Sequence, residues 1–236
     1  MNSASIAPAQ QIMLAGSPQI TVVLRRSRQA RRMSLRISRL KGHVTLSLPL
    51  SCPLAQAEKF ILEKEIWIRT HLKGLPQNTE TTFGSTVLYQ GQILDLCLGQ
   101  GRQVHQIGSE LLVPGPDNMV SSRVKAFFKI QAMLHLHQAT DRYAAALGKP
   151  YGKITLRDTT SRWGSCSSQG NINYSWRLIM APPDVLNYVV AHEVAHLAEM
   201  NHSAQFWAVV ERLYPDHSEQ RVWLRKHGED LHRYVF

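Results

Sequence analysis

The stretch that decides the reading is Asn187-Tyr188-Val189-Val190-Ala191-His192-Glu193-Val194-Ala195-His196-Leu197, followed closely by Asn201-His202-Ser203. Its apolar residues recur at helical spacing, and the run from Val185 to Met200 predicts a helix with Asp184 as its N-cap. On a helix, residues four apart lie about 40° apart in azimuth and about 6 Å along the axis. His192 and His196 therefore share one face and can grip one metal ion. Glu193 stands roughly 100° round from His192, where its carboxylate reaches a metal-bound water rather than the metal itself. Random placement of these residue types gives about 0.02 such H-E-x-x-H matches per chain of this length. Neutral imidazoles with one open position suit Zn2+, and the chemistry this predicts is hydrolysis by a metal-activated water with Glu193 as general base.

A third ligand requires the chain to turn back after His196. His202 is the favoured candidate, with Asn201 as a residue able to end the helix in the left-handed conformation. The rivals are the downstream carboxylates Asp216 and Glu219, with Glu211 less well placed. The spacing is similar to that of metzincins, but Glu199 stands where that family has glycine and no methionine follows Met200. Phe206 and Trp207 are expected to pack the next helix on the core and so hold His202. Asn187, Glu199 and Glu211 are candidates to orient the imidazoles. Arg162, Tyr214 and His217 are candidates to polarise a substrate carbonyl. Cys166 is read as a small packing residue rather than a ligand, and His135 and His137 as ordinary helix-surface histidines.

Working outward, Ile154–Arg157 and Ile172–Trp176 read as strands flanking a turn at Trp163-Gly164-Ser165-Cys166. Ser122–Leu147 has neither Gly nor Pro and predicts a long helix. Residues 82–113 carry short apolar runs broken by Gly84, Gly91, Gly99, Gly101 and Gly108, a β-rich texture. Met33–Ser38 and Val44–Leu48 alternate apolar and polar residues about Lys41-Gly42-His43, a β-hairpin, and Leu54–Leu72 carries a helical face that Gly74 and Pro76 end. No internal repeat is visible. The expected organisation is a flexible tail over 1–18, a β-rich region with one helix over 19–117 and a helix-rich catalytic core over 118–236, an α+β fold with Pro114-Gly115-Pro116-Asp117 as the boundary.

The 236 residues are 44% hydrophobic and 19% charged, a globular composition. No apolar run reaches the roughly 18 residues of a membrane helix, and the N-terminus lacks the basic and apolar regions of a secretory signal. Three cysteines at wide spacing exclude a disulfide scaffold and point to a reducing, cytoplasmic setting. The net charge of +10 is lopsided. No acid precedes Glu58, and of 27 basic residues eight lie before it, leaving 19 against 17 acids. Those eight are Arg25, Arg26, Arg28, Arg31, Arg32, Arg36, Arg39 and Lys41. They read either as a solvated strand edge that discourages edge pairing or as a surface for nucleic acid.

The motifs Arg162-Trp163-Gly164-Ser165-Cys166, Tyr188–Leu197 and Asn201–Trp207, in this order, resemble the YgjP-like metallopeptidase family, a zincin group. They are more distantly similar to SprT-like and WLM-type zinc proteases. The arginine-rich hairpin resembles the start of that family's domain, so the resemblance covers nearly everything from residue 20. It implies a zinc metallopeptidase fold, a peptide or protein substrate, His192, His196 and His202 as zinc ligands and Glu193 as catalytic base. It also places the Trp163–Cys166 segment at a sheet edge where substrate adds as a strand. The alternative from a different class is a nucleic-acid-associated protein that uses the basic arm at 25–41 beside a structural or auxiliary zinc site.

Overall fold

A computed structural model of the chain describes residues 10–38, 42–74 and 78–236. The first nine residues of the expected tail, Arg39 and Lys41 of the basic arm, and Pro76 lie outside the described residues. The chain divides into two units between residues 77 and 78.

The first unit begins with β1 (Gln11–Leu14), β2 (Ile20–Ser27), β3 (Ser34–Ile37) and β4 (Val44–Pro49). They form a sheet in the order β1-β2-β4-β3. The outer pairs are antiparallel and β2 runs parallel to β4. The expected hairpin is β3–β4, with Ser34 opposite Ser47 and Ile37 opposite Val44, turned at Gly42 with φ of 63°. Alternation sends Val22, Leu24, Val44, Leu46 and Leu48 to one buried face. Helices α1 (Leu54–Glu63) and α2 (Glu65–Lys73) add Ala57, Ile61 and Ile68 to the same core. They replace the single helix expected over 54–72. The break is one residue, Lys64, which leaves helical geometry at φ −100° and ψ 4° with neither Gly nor Pro to announce it.

Residues 11–14 fall within the expected tail yet form β1. The reason is backbone pairing to the edge of β2, with Leu14 buried, together with a clamp from α2: Arg69 Nη1 donates to the Pro18 carbonyl at 2.8 Å and Nη2 to the Ala15 carbonyl at 2.6 Å.

The second unit opens with β5 (Thr79–Glu80), β6 (Thr86–Tyr89), β7 (Gln92–Gly99), β8 (His105–Ile107) and β9 (Glu110–Pro114). The last four form a sheet in the order β6-β7-β9-β8, antiparallel, parallel and antiparallel in turn. This is the strand order and sense of the first sheet, and each sheet is followed by helix. The two halves thus repeat one β-β-β-β-α pattern that the sequence does not display as a repeat. The β6–β7 turn uses Gln90 and Gly91, both at positive φ (49° and 78°), as two-residue hairpins require.

Helix α3 (Val120–Leu147) lays a stripe of Val120, Val124, Phe128, Ala132, Leu136 and Thr140 into the core and ends at Gly148, φ 68°. Val87, Leu94, Leu96, Leu111 and Val113 of the preceding sheet bury into that same core. The boundary expected at residues 114–117 is therefore internal to a unit. A sheet with one apolar face must be covered, and α3, beyond the Pro-Gly-Pro turn, contributes to the core that covers it.

Next come β10 (Ile154–Arg157), β11 (Gly164–Cys166) and β12 (Ile172–Ser175), in the order β10-β12-β11. The segment expected as a turn, Gly164–Cys166, is itself a strand, antiparallel to β12, while β10 and β12 are parallel. A 3-10 segment, Trp176–Met180, leads to α4 (Pro183–Ala195), α5 (Ala204–Leu213) and α6 (Ser218–His227). The C-terminal β13 (Tyr234–Val235) pairs in parallel with β5. The fold is α+β, with α4 buried among α3, the 3-10 segment, β11, α5 and α6. No helix among the described residues is long and apolar enough to cross a membrane.

Candidate metal centre

Helix α4 begins after Pro182, with Pro183 at its first position. Asp184 does not cap it, contrary to expectation. It lies in the first turn, where a carboxylate meets the positive end of the helix dipole. The helix stops at Ala195, short of the expected Met200. The chain tightens there, as the Leu197 N–H donates to the Val194 carbonyl at 2.9 Å and the Ala198 N–H to that of Ala195 at 3.0 Å. The reversal does not use a left-handed Asn201. Instead Asn201 Oδ1 accepts from the Ser203 N–H at 3.1 Å, and Ser203 Oγ then caps α5 by accepting from the Phe206 N–H. A side chain that hydrogen-bonds two residues on makes the turn without positive φ.

This turn carries His202 back against α4. His192, His196 and His202 each offer a ring nitrogen within 4.8 Å of the others. His202 Nε2 is 3.1 Å from His192 Nε2. Two nitrogens bound tetrahedrally at about 2.05 Å lie about 3.3 Å apart, so the pair already stands near ligand separation. His196 Nδ1 is 2.9 Å from the Glu199 carbonyl. With Nδ1–H donating there, its Nε2 keeps a free lone pair for a cation. Burial, then the neighbouring His196 and His202, push His192 down to about 3, and burial also lowers His196. Neutral rings are the ligand form. Phe206, fully buried, stacks on His196 with centroids 4.5 Å apart and meets His192 and His202 edge-on. It packs α5 on the core and holds His202, as expected, and it also braces His192 and His196.

Glu193 is 5% exposed. Burial pushes its carboxyl up to about 8, and the Arg162 guanidinium offsets part of that shift. The backbone of Gly164 lies hard against it: a Cβ at Gly164 would sit 2.5 Å from Glu193 Cγ and Oε1. The sequence pattern places this glycine in a turn. Its φ is unremarkable, and what the position requires is space. Strand β11, unpaired on its outer side, thus forms one wall of a cleft of about 430 Å3 whose other wall is α4. Arg162, Cys166, Glu193 and the three histidines line it.

The other candidates scatter. Glu211 Oε2 lies 2.9 Å from His217 Nδ1, off the axis of a hydrogen bond, and neither Asp216 nor Glu219 joins the histidine cluster. Asn187 accepts from Arg142 Nη2, away from the imidazoles, and Glu199 contributes its carbonyl rather than its carboxylate. Tyr214 packs against Tyr143 and Tyr188 and does not line the cleft. His217 stacks on Tyr188 and Trp207, at 5.7 and 5.6 Å, and Arg221 lies over the Trp207 ring at 4.8 Å. Only Arg162, of the three candidate carbonyl partners, reaches the cleft. Cys166 lines the cleft with its thiol pushed up to about 11, chiefly by burial, and lies outside the histidine cluster. His137 pairs with Asp141 and His135 contacts Gln90, both remote from the site.

A helix that presents two histidines and a buried glutamate, a third histidine returned by a tight turn, and an edge strand across the cleft together describe a metal-dependent peptidase. The chain belongs to the YgjP-like metallopeptidase family, whose metallopeptidase-domain model matches residues 31–227. The crystal structure of the metallopeptidase zymogen of Pyrococcus abyssi abylysin is similar over part of the chain, with 21% identity and a TM-score of 0.36, covering 40% of this chain and 93% of that one. No curated protein matches.

Proposed function

We propose that this metallopeptidase is zinc-dependent and hydrolyses peptide bonds, with His192, His196 and His202 holding Zn2+ and Glu193 as general base. The convergence of three imidazoles beside one buried carboxylate carries this reading. A cation held there supplies Lewis acidity, lowering the pKa of its water towards about 7. Glu193 takes a proton at a carboxylate oxygen and delivers it to the departing amine nitrogen. Arg162, on the cleft wall, faces the negative charge that develops on the carbonyl oxygen. The free edge of β11 holds the substrate backbone as an added strand. Three unpaired cysteines favour a reducing, cytoplasmic setting.

The test is metal content. Purified protein should hold bound zinc and His196→Ala should not; equal zinc in both refutes the assignment. The basic arm supports a second reading compatible with the first, a nucleic-acid contact. Arg26 donates to the Leu50 and Cys52 carbonyls, whereas Arg25, Arg28, Arg31, Arg32 and Arg36, exposed as Arg26 is, project from the strands and their turn. Phosphate contacts would make binding fall steeply with salt, and no retention of nucleic acid at about 50 mM salt removes this reading.

A further inference from the structure

Strand β11 separates two cavities. The second, of about 370 Å3, touches the far face of the β10-β12-β11 sheet and shares Arg162, Trp163, Gly164 and Ser165 with the metal cleft. Strand alternation sorts the chemistry between the faces. Gly164, Cys166, Ile172 and Tyr174 fall on the side of α4, while Ser165, Asn173 and Ser175 fall on the other.

On that other side the polar groups are assembled. Ser165 stands opposite Asn173, whose Nδ2 donates to Ser165 Oγ at 3.3 Å. Arg157, opposite Ser175, reaches Asn173 Oδ1 with its Nε at 3.3 Å. Arg162 stands at the shared rim. Ser175 is 1% exposed, and its hydroxyl is buried with no hydrogen-bond partner. No carboxylate lines this cavity among the described residues. The nearest acid in sequence, Asp158, is held by Arg177 Nε at 2.7 Å. The exposed Arg157 guanidinium thus has no acidic acceptor in the cavity among the described residues, and the buried Ser175 hydroxyl, left unpaired, calls for a partner.

We propose that this cavity is a specificity subsite for an acidic side chain of the substrate. The inference rests on the peptidase reading above. A peptide paired to the free edge of β11 projects alternate side chains to the two faces of the extended sheet. When the scissile bond lies on the α4 side, a neighbouring residue points to the opposite face, into the cavity. There a carboxylate meets Arg157, whose planar fork matches its two oxygens. The Ser175 hydroxyl gains an acceptor. A lysine at the same place meets a like charge.

The test uses Glu193→Gln protein loaded with zinc, titrated by fluorescence anisotropy with labelled peptides identical except for Glu, Gln or Lys scanned one position at a time. At one position the Glu peptide should bind about tenfold tighter than the Gln peptide, the scale of a charge-assisted hydrogen bond. Arg157→Glu in the same background should abolish that preference and favour Lys, and Arg157→Gln should level it. Equal affinities at every position, no binding by any peptide, or a Glu preference that both Arg157 variants leave intact overturns the subsite. Hydrolysis of the same peptides by the unaltered protein is a separate readout. Charge-selective binding without cleavage would retain the subsite and remove the peptidase assignment.

Discussion

Replacing Gly164 with alanine adds one methyl group where the structure has no room for it. The new carbon would lie 2.5 Å from Glu193 Cγ and Oε1 and 2.7 Å from Cδ. Carbon atoms sit comfortably at about 3.5 Å or more, so Glu193 or β11 must shift by about 1 Å. Glu193 lines the cleft, so the clash is relieved by its carboxylate moving into the cleft or by β11 giving way, and either displaces the carboxylate from its present seat. Overpacking of this kind destabilises by about 1–3 kcal/mol, and for a unit of this size each kcal/mol lowers Tm by about 2–4 °C. A misplacement of about 1 Å at a reacting group costs about 100-fold in rate. None of the three atoms nearest the new methyl belongs to a histidine, so zinc content should be unchanged. The expected result is full zinc, a lowered Tm by calorimetry and peptide hydrolysis reduced about 100-fold. Full zinc together with unaltered activity and Tm would refute the claim that β11 seats the glutamate.

Glu193→Gln keeps every proposed ligand and removes the base, so it should retain zinc and lose hydrolysis by a factor of about 100 to 10,000, as read by metal analysis and initial rates. The same variant tests the raised carboxyl in metal-free protein. With Glu193 at about 8 in the fold and near 4.5 unfolded, the unfolded chain releases this proton first as pH rises. Stability therefore falls from about pH 4.5 to pH 8, and Gln should raise the Tm of chelated protein at pH 8 but not at pH 4.5. His192 acts in the opposite sense. Held down at about 3, it stays neutral while the unfolded chain protonates, so its contribution is lost as pH falls from 6.5 towards 3. His192→Phe should thus flatten the acid limb of a Tm–pH profile recorded without metal. Phe206→Ala removes the ring that braces the three imidazoles. It should cost about 3–5 kcal/mol in chemical denaturation and weaken zinc retention against a competing chelator.

The candidate metal-binding pair was legible because its geometry is local. Two histidines four residues apart share a helix face whatever surrounds them, and the glutamate between them follows from the same 100° step. The hairpin of β3 and β4 and the helix α3 were legible for a similar reason, since their periodicity lies within one element. His202 stood as a favoured candidate on spacing alone, with carboxylates as rivals. The tertiary structure separates them: the Asn201 and Ser203 turn returns His202, whereas Glu211 is drawn to His217.

What only the tertiary structure decided depends on pairing across distance. Gly164-Ser165-Cys166 is too short to read as a strand. It becomes one because β12 supplies its hydrogen bonds and the Glu193 side chain occupies the place of a Cβ. Residues 11–14 have a polar neighbourhood and become β1 only against β2 and Arg69. The Pro-Gly-Pro stretch at 114–116 looks like a boundary in sequence, yet the apolar faces on its two sides belong to one core. Local chemistry along the chain wrote the candidate ligands. Which strand walls the cleft, which carbonyl orients His196 and which arginine faces the carboxylate were set by contacts between residues far apart in sequence, where no short-range pattern records them.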